Sequence, residues 1–153
     1  MSTITVPTTL TAISSTNFGV PVANQLNQQV AFQSFNPGGS TNTAASGTWL
    51  TIGNLTVPTW ATKAIIQCDA TILSGSAANA SATVQAQLGS ALGTPAHRWT
   101  MQVAATRFMA AGTWQCTSIA TGSQSLTLQA ANVSGNLTAD TATAFAFVVT
   151  YLG

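Results

Sequence analysis

The chain reads as one all-β domain, a β-sandwich of jelly-roll-like type with about eight antiparallel strands and an extended N-terminal arm. Three observations predict it. Apolar residues recur at period two in segment after segment, the signature of half-buried strands. Turn signals rich in Gly, Ser, Asn and Pro separate those segments at the spacing of a sandwich or barrel. Helical periodicity is weak throughout, and the many alanines sit among Thr, Val and Ile at period two. With 153 residues, the chain is long enough for one domain with a real core.

Residues 1–28 differ from the rest. They are rich in Thr, Ser, Asn and Gln and contain Pro7 and Pro21, and no long alternating run supports a strand. They read as an arm that packs on something else, and residues 29–153 as the sandwich. Val30–Phe35 reads as a short strand. Asn36-Pro37-Gly38-Gly39-Ser40 opens a loop that continues to Ser46.

The stretch Gly47–Leu73 carries the strongest pattern. Leu50 and Ile52 share one parity, Leu55 and Val57 the other, and Gly53-Asn54 sits at the slip. A bulge or kink there returns the apolar side to the core. Pro58 ends the run, because it cannot donate to a ladder. After the Pro-Thr-Trp corner, Ala64, Ile66, Cys68, Ala70 and Ile72 alternate with a mixed face. Residues 74–79 form a small-residue loop. Ala82, Val84, Ala86 and Leu88 mark the next strand, and Gly89–Pro95 a loop.

His97–Met109 reads as one alternating strand, with Trp99 and Met101 on its apolar face. Ala110-Ala111-Gly112 reads as a tight connection to a strand holding Trp114 and Cys116. Thr121-Gly122-Ser123 is a turn, Leu126, Leu128 and Ala130 point inward on the following strand, and Asn132–Asp140 is a loop. The last strand, Ala142–Leu152, is apolar on both faces. That marks a central strand or one at a subunit interface.

Composition bounds the function. Hydrophobic residues make up 46% of the chain but charged residues only 3%, against about 25% in an average soluble domain. The five are Lys63, Arg98, Arg107, Asp69 and Asp140. So few charges leave strand edges without gatekeepers, which points to a surface covered by other chains. A net charge of +1 gives no reason to expect nucleic acid or an anionic membrane as partner. No apolar run approaches the roughly 20 residues of a membrane helix. The N-terminus lacks the basic and apolar regions of a secretory signal, so the sequons at Asn54, Asn79, Asn132 and Asn136 read as chance.

The residue inventory argues against an enzyme. His97 is the single histidine, with two aspartates and no G-x-S-x-G elbow. Cys68 and Cys116 fall on core-facing positions, where they could be neighbours across the core. They read as buried free thiols, with a disulfide as the alternative, and are too few for a zinc site. No cofactor is implied. Trp99 and Trp114 read as core. Trp49 and Trp60 bracket the bent strand, and Trp60 in its corner is a candidate for an interface or glycan contact.

The run Gly47-Thr48-Trp49-Leu50-Thr51-Ile52-Gly53-Asn54-Leu55-Thr56-Val57-Pro58 with Ala64-Ile65-Ile66-Gln67, and the ending Ala144–Leu152, resemble small structural proteins of tailed bacteriophages. The likeness lies in low charge, Thr/Ala-rich alternating strands and the lack of a signal peptide. It implies a capsid decoration protein made in the bacterial cytoplasm. Such a protein would be a homotrimer on the virion surface, clamping the major capsid protein and stabilising the shell. The alternative it implies is a tail-fibre or receptor-binding domain. There, Trp49, Trp60 or the loops 74–80 and 89–96 would meet host glycans.

Overall fold

A computed structural model describes residues 28–35, 41–42, 46–74, 78–104, 106–139 and 145–153. Most of the expected arm therefore lies outside the described residues. These contain eleven strand segments: β1 (Gln28–Phe35), β2 (Thr41–Asn42), β3 (Gly47–Val57), β4 (Lys63–Ser74), β5 (Ser81–Leu88), β6 (Ala91–Leu92), β7 (His97–Thr100), β8 (Arg107–Thr117), β9 (Gly122–Ser134), β10 (Leu137–Ala139) and β11 (Phe145–Leu152). All pairings are antiparallel.

The segments form two sheets. Along one edge of β4, β11 pairs with Lys63–Asp69 and β10 with Ile72–Ser74, while β8 pairs along the other edge. Outside them, β1 continues from β11 and β2 from β10. The first sheet is thus four rows wide: β1/β2, β11/β10, β4, β8. The second runs β3, β9, β5, then β7 and β6 one after the other on the outer edge of β5. Successive strands mostly switch sheets, as in a β-sandwich, and the first strand lies beside the last.

The core fills the space between the sheets. Ala64, Ile66, Cys68, Ala70 and Ile72 of β4 are buried, as their period-two spacing predicts. Facing them from the second sheet are Ala82, Val84, Ala86 and Leu88 of β5 and Leu126, Leu128 and Ala130 of β9. β11 lies between β1 and β4 and buries Phe145, Phe147, Val149 and Tyr151 completely, with its other face half-buried. β11 is thus a central strand of its sheet, and the outer apolar face of Ala146 and Val148 stays half-buried.

β3 is bent where the parity slips, and it is bent twice. Against β9, Ile52 is the extra residue between Thr51 and Gly53, and Trp49 the extra one between Thr48 and Leu50. The first in chain order turns Trp49 inward beside Leu50, and the second shifts the parity so that Ile52 and, beyond it, Leu55 are both buried. The first bulge has its own sequence signal, the adjacent Trp49-Leu50 pair.

Several expected boundaries differ, and the eleven segments exceed the expected eight partly because the expected loops 36–46 and Gly89–Pro95 hold the two-residue strands β2 and β6. The run His97–Met109 is not one strand: β7 stops at Thr100, and β8 begins at Arg107. Val103, in the intervening bend, is 60% exposed although its parity matches the buried Trp99 and Met101. Ala110-Ala111-Gly112 is no connection; it lies in the middle of β8, paired with Cys68–Ala70 of β4. Gly112 is small there because the Trp114 ring occupies the place of its side chain. Finally, the expected loop 132–140 holds the end of β9 and the short strand β10, whose Leu137 and Ala139 are fully buried.

Cys68 and Cys116 are both buried and free. They do not meet across the core. Both belong to the first sheet, where Cys68 pairs with Gly112 and Cys116 with Ala64. That offset of four residues along neighbouring strands places them roughly 13 Å apart, beyond disulfide reach.

Candidate binding groove

The outer face of the second sheet carries a groove of about 420 Å³. Its floor comes from alternate residues of β5 and β9. Thr83, Gln85 and Gln87 share the face opposite to the buried Ala82, Val84, Ala86 and Leu88. Register places Gln85 against Gln129, Gln87 against Thr127, and Thr83 against Ala131. The rows extend sideways, with Thr48 of β3 paired to Gln129 and Leu92 of β6 paired to Gln87. Ser46 and Gly47 form one wall; Ser90 and Leu92, in the tight β5–β6 hairpin, form the other. Gly89 turns that hairpin with φ of +60°, a conformation few other residues adopt.

Part of this polar floor is self-satisfied. Gln129 Nε2 donates to Thr48 Oγ1 at 3.0 Å and to Thr127 Oγ1 at 2.9 Å. Gln85 Nε2 donates to the Gly93 carbonyl at 2.8 Å, tying the hairpin arm to the floor. At one end, Asn132 sits at a bulge in β9 with φ of +50°, and its Nδ2 is 3.5 Å from Thr83 Oγ1. Arg98 stands opposite Thr83 at that end and turns its guanidinium away, donating from Nη2 to Ser81 Oγ at 2.6 Å. The half-buried Gln87 amide has no hydrogen-bond partner among the described residues. The lining carries no charge, so the groove offers neutral donors and acceptors beside an apolar wall.

The aromatic candidates lie elsewhere. Trp49 is buried in the core, edge-on to Trp99 at 6.2 Å between ring centroids, and presents no ring face outward. Trp99 in turn packs 6.3 Å from Trp114. Trp60 lies within the Pro58–Ala61 turn and is half-buried against the core. Of the two candidate loops, 89–96 supplies the groove wall through Ser90 and Leu92, while residues 75–77 of the other lie outside the described residues. The residues of the floor were visible in the sequence as two separate rows, Thr83-x-Gln85-x-Gln87 and Thr127-x-Gln129, the polar parity of two strands whose apolar parity is core.

The titratable residues do not converge. His97 contacts backbone of β8, Asp69 lies mid-strand in β4, and Asp140 is outside the described residues. Among the described residues no three His, Cys, Asp or Glu side chains cluster as metal ligands. Among them, too, no helix is long and apolar enough to cross a membrane. No family model matches the chain, and no curated protein matches it.

Proposed function

We propose that this chain is a virion structural protein, a decoration protein that binds the outside of a phage head and stabilises the shell. One observation carries the reading: the two flanks of the sandwich are finished differently. On one flank the edge of β8 is sealed. Thr94 forms a two-way backbone bridge with Gln115, His97 meets the backbone of Thr113, and Trp99 Nε1 donates to the Ala111 carbonyl at 3.2 Å. On the other flank β1 and β3 run close together, each the terminal strand of its sheet among the described strands. Neither carries a charged residue or a proline. Bulges interrupt β3, but β1 keeps an unbroken register along all eight residues.

An uncharged edge of that kind is a template for pairing with another chain. Shell cementing needs such complementarity rather than chemistry. Each bound copy stabilises the assembled state by mass action, and a trimer on symmetric sites adds avidity. The partner in this reading is the major capsid protein, and contacts made by neutral groups depend weakly on salt.

The test is copy number, by quantitative mass spectrometry of purified virions against the major capsid protein. A fixed large fraction of one copy per capsid subunit supports decoration. A handful of copies per particle overturns it in favour of a tail-fibre or receptor-binding component.

A further inference from the structure

We propose that the groove on the outer face of the β3-β9-β5-β6 sheet is a binding site for a neutral, hydroxyl-rich ligand, an uncharged oligosaccharide. The proposal goes beyond the decoration reading and does not depend on where in a virion the chain resides.

Three features of the groove select that chemistry. First, its lining is made of amides, hydroxyls and small apolar groups, without a charge. Phosphate, carboxylate and nucleic-acid ligands would lack a cation to meet them, and cationic ligands would lack a carboxylate. Second, the polar groups are of the kind that both donate and accept, as sugar hydroxyls do. The Gln87 amide has its acceptor and both donors unengaged among the described residues. Gln85 spends its Nε2 on Gly93 and keeps Oε1 for a ligand. Gln129 has its Nε2 held by Thr48 and Thr127, which fixes the orientation of its amide plane. Third, Leu92 is 46% exposed and stands directly across from Gln87. It offers an apolar surface against which the C–H face of a sugar ring can rest while its hydroxyls reach the amides. A groove of about 420 Å³ is in the range that holds small ligands.

The floor is also rigid. Gln85, Gln87 and Gln129 project from the middle of two paired strands whose opposite faces are core. Strand-mounted groups lose little freedom on binding, which favours specificity for a spacing of hydroxyls.

The experiment uses the full chain on an array of neutral and acidic oligosaccharides, followed by calorimetric titration of the best soluble neutral compound. The expected result is retention of neutral oligosaccharides. Gln87→Glu keeps the shape of the side chain but replaces its donors with a charge. It should weaken binding tenfold or more without changing the melting temperature; Gln129→Ala should weaken binding similarly while lowering the melting temperature slightly, because it also releases Thr48 and Thr127. Trp60→Ala, outside the groove, should leave the affinity unchanged. The proposal is overturned if no neutral oligosaccharide binds, if acidic ones are preferred, or if binding survives both groove substitutions.

Discussion

The Nε2 atom of His97 lies 2.9 Å from the carbonyl oxygen of Thr113 and 3.3 Å from its amide nitrogen. One imidazole thus takes the place that a neighbouring strand would occupy at that residue. Along the same edge of β8, Trp99 covers Ala111 and Thr94 covers Gln115, so alternate residues are engaged in turn. The ring is held there by an edge-on contact with Trp114 at 5.3 Å. The sequence offers a lone histidine at the start of a strand; its work here is to close a sheet edge.

His97→Ala should therefore open the edge at Thr113. The expected loss is about 1 kcal/mol from one hydrogen bond, with a greater tendency to self-associate through β8. Urea unfolding and light scattering on warming check the two effects. His97→Gln, whose amide can donate and accept, should recover part of both. If the alanine variant matches wild type in both measurements, the imidazole does not protect the edge.

Gly112 and Trp114 are the second coupled pair. A β-carbon at residue 112 would clash with the far carbons of the six-membered ring of the Trp114 indole, and that ring is fully buried, with Nε1 donating to the Val84 carbonyl at 3.3 Å. Gly112→Ala should cost about 1–3 kcal/mol through overpacking. Trp114→Phe removes the part of the indole that the new methyl would strike, so the double variant should be more stable than the sum of the single effects predicts. Strict additivity in the unfolding free energies would refute the steric coupling.

Most of the fold was legible because burial in a two-layer sandwich imposes a period of two, and the apolar core positions of β4, β5, β9 and β11 follow it. What was not legible depends on tertiary neighbours. Ala110-Ala111-Gly112 looks like a turn until Trp114 is seen lying over the glycine. Val103 keeps the parity of a strand but has no partner strand, so it bends into solvent. Trp49 reads as flanking the bent strand and open to an interface or glycan, but the extra bulge at Thr48/Leu50 turns it inward. Of the candidate site, the alternating Thr and Gln residues were visible as a solvent face. That they face each other across β5 and β9 is a matter of register, which no single strand encodes.

Alkaline pH should destabilise the domain through its buried acids. Burial pushes the Cys68 thiol far up, and the neighbouring Asp69 carboxylate adds to the shift. Burial also raises Cys116, outweighing a backbone hydrogen bond with Leu88 that acts in the opposite direction. Each thiol holds its proton more tightly folded than unfolded. The stability this represents is complete below the unfolded value of about 8.5 and declines as pH rises through the interval up to the folded value. Stability should fall by up to about 1.4 kcal/mol per pH unit per thiol in that interval. Urea midpoints measured between pH 7 and 10 should decline, and Cys68→Ala should flatten the slope while lowering stability at pH 7. A slope equal in wild type and variant would show that Cys68 does not carry the effect.

Tyr151 provides the opposite kind of substitution, one in which removing a group should help. Its side chain is fully buried on the core face of β11, in line with Phe145, Phe147 and Val149, yet its hydroxyl has no hydrogen-bond partner among the described residues. A buried hydroxyl left unpaired forfeits its hydration at a cost of about 1–3 kcal/mol. Phenylalanine keeps the ring and the packing and removes the orphaned oxygen, so Tyr151→Phe should raise the melting temperature or leave it unchanged. Burial also raises the phenol above its ordinary value. The folded state therefore disfavours the phenolate, and stability is lost as pH climbs above the unfolded value of about 10. The phenylalanine variant should lose less stability than wild type in that range. A clear drop in melting temperature at pH 7 would instead mean that the hydroxyl is hydrogen-bonded, with a trapped water as the natural candidate.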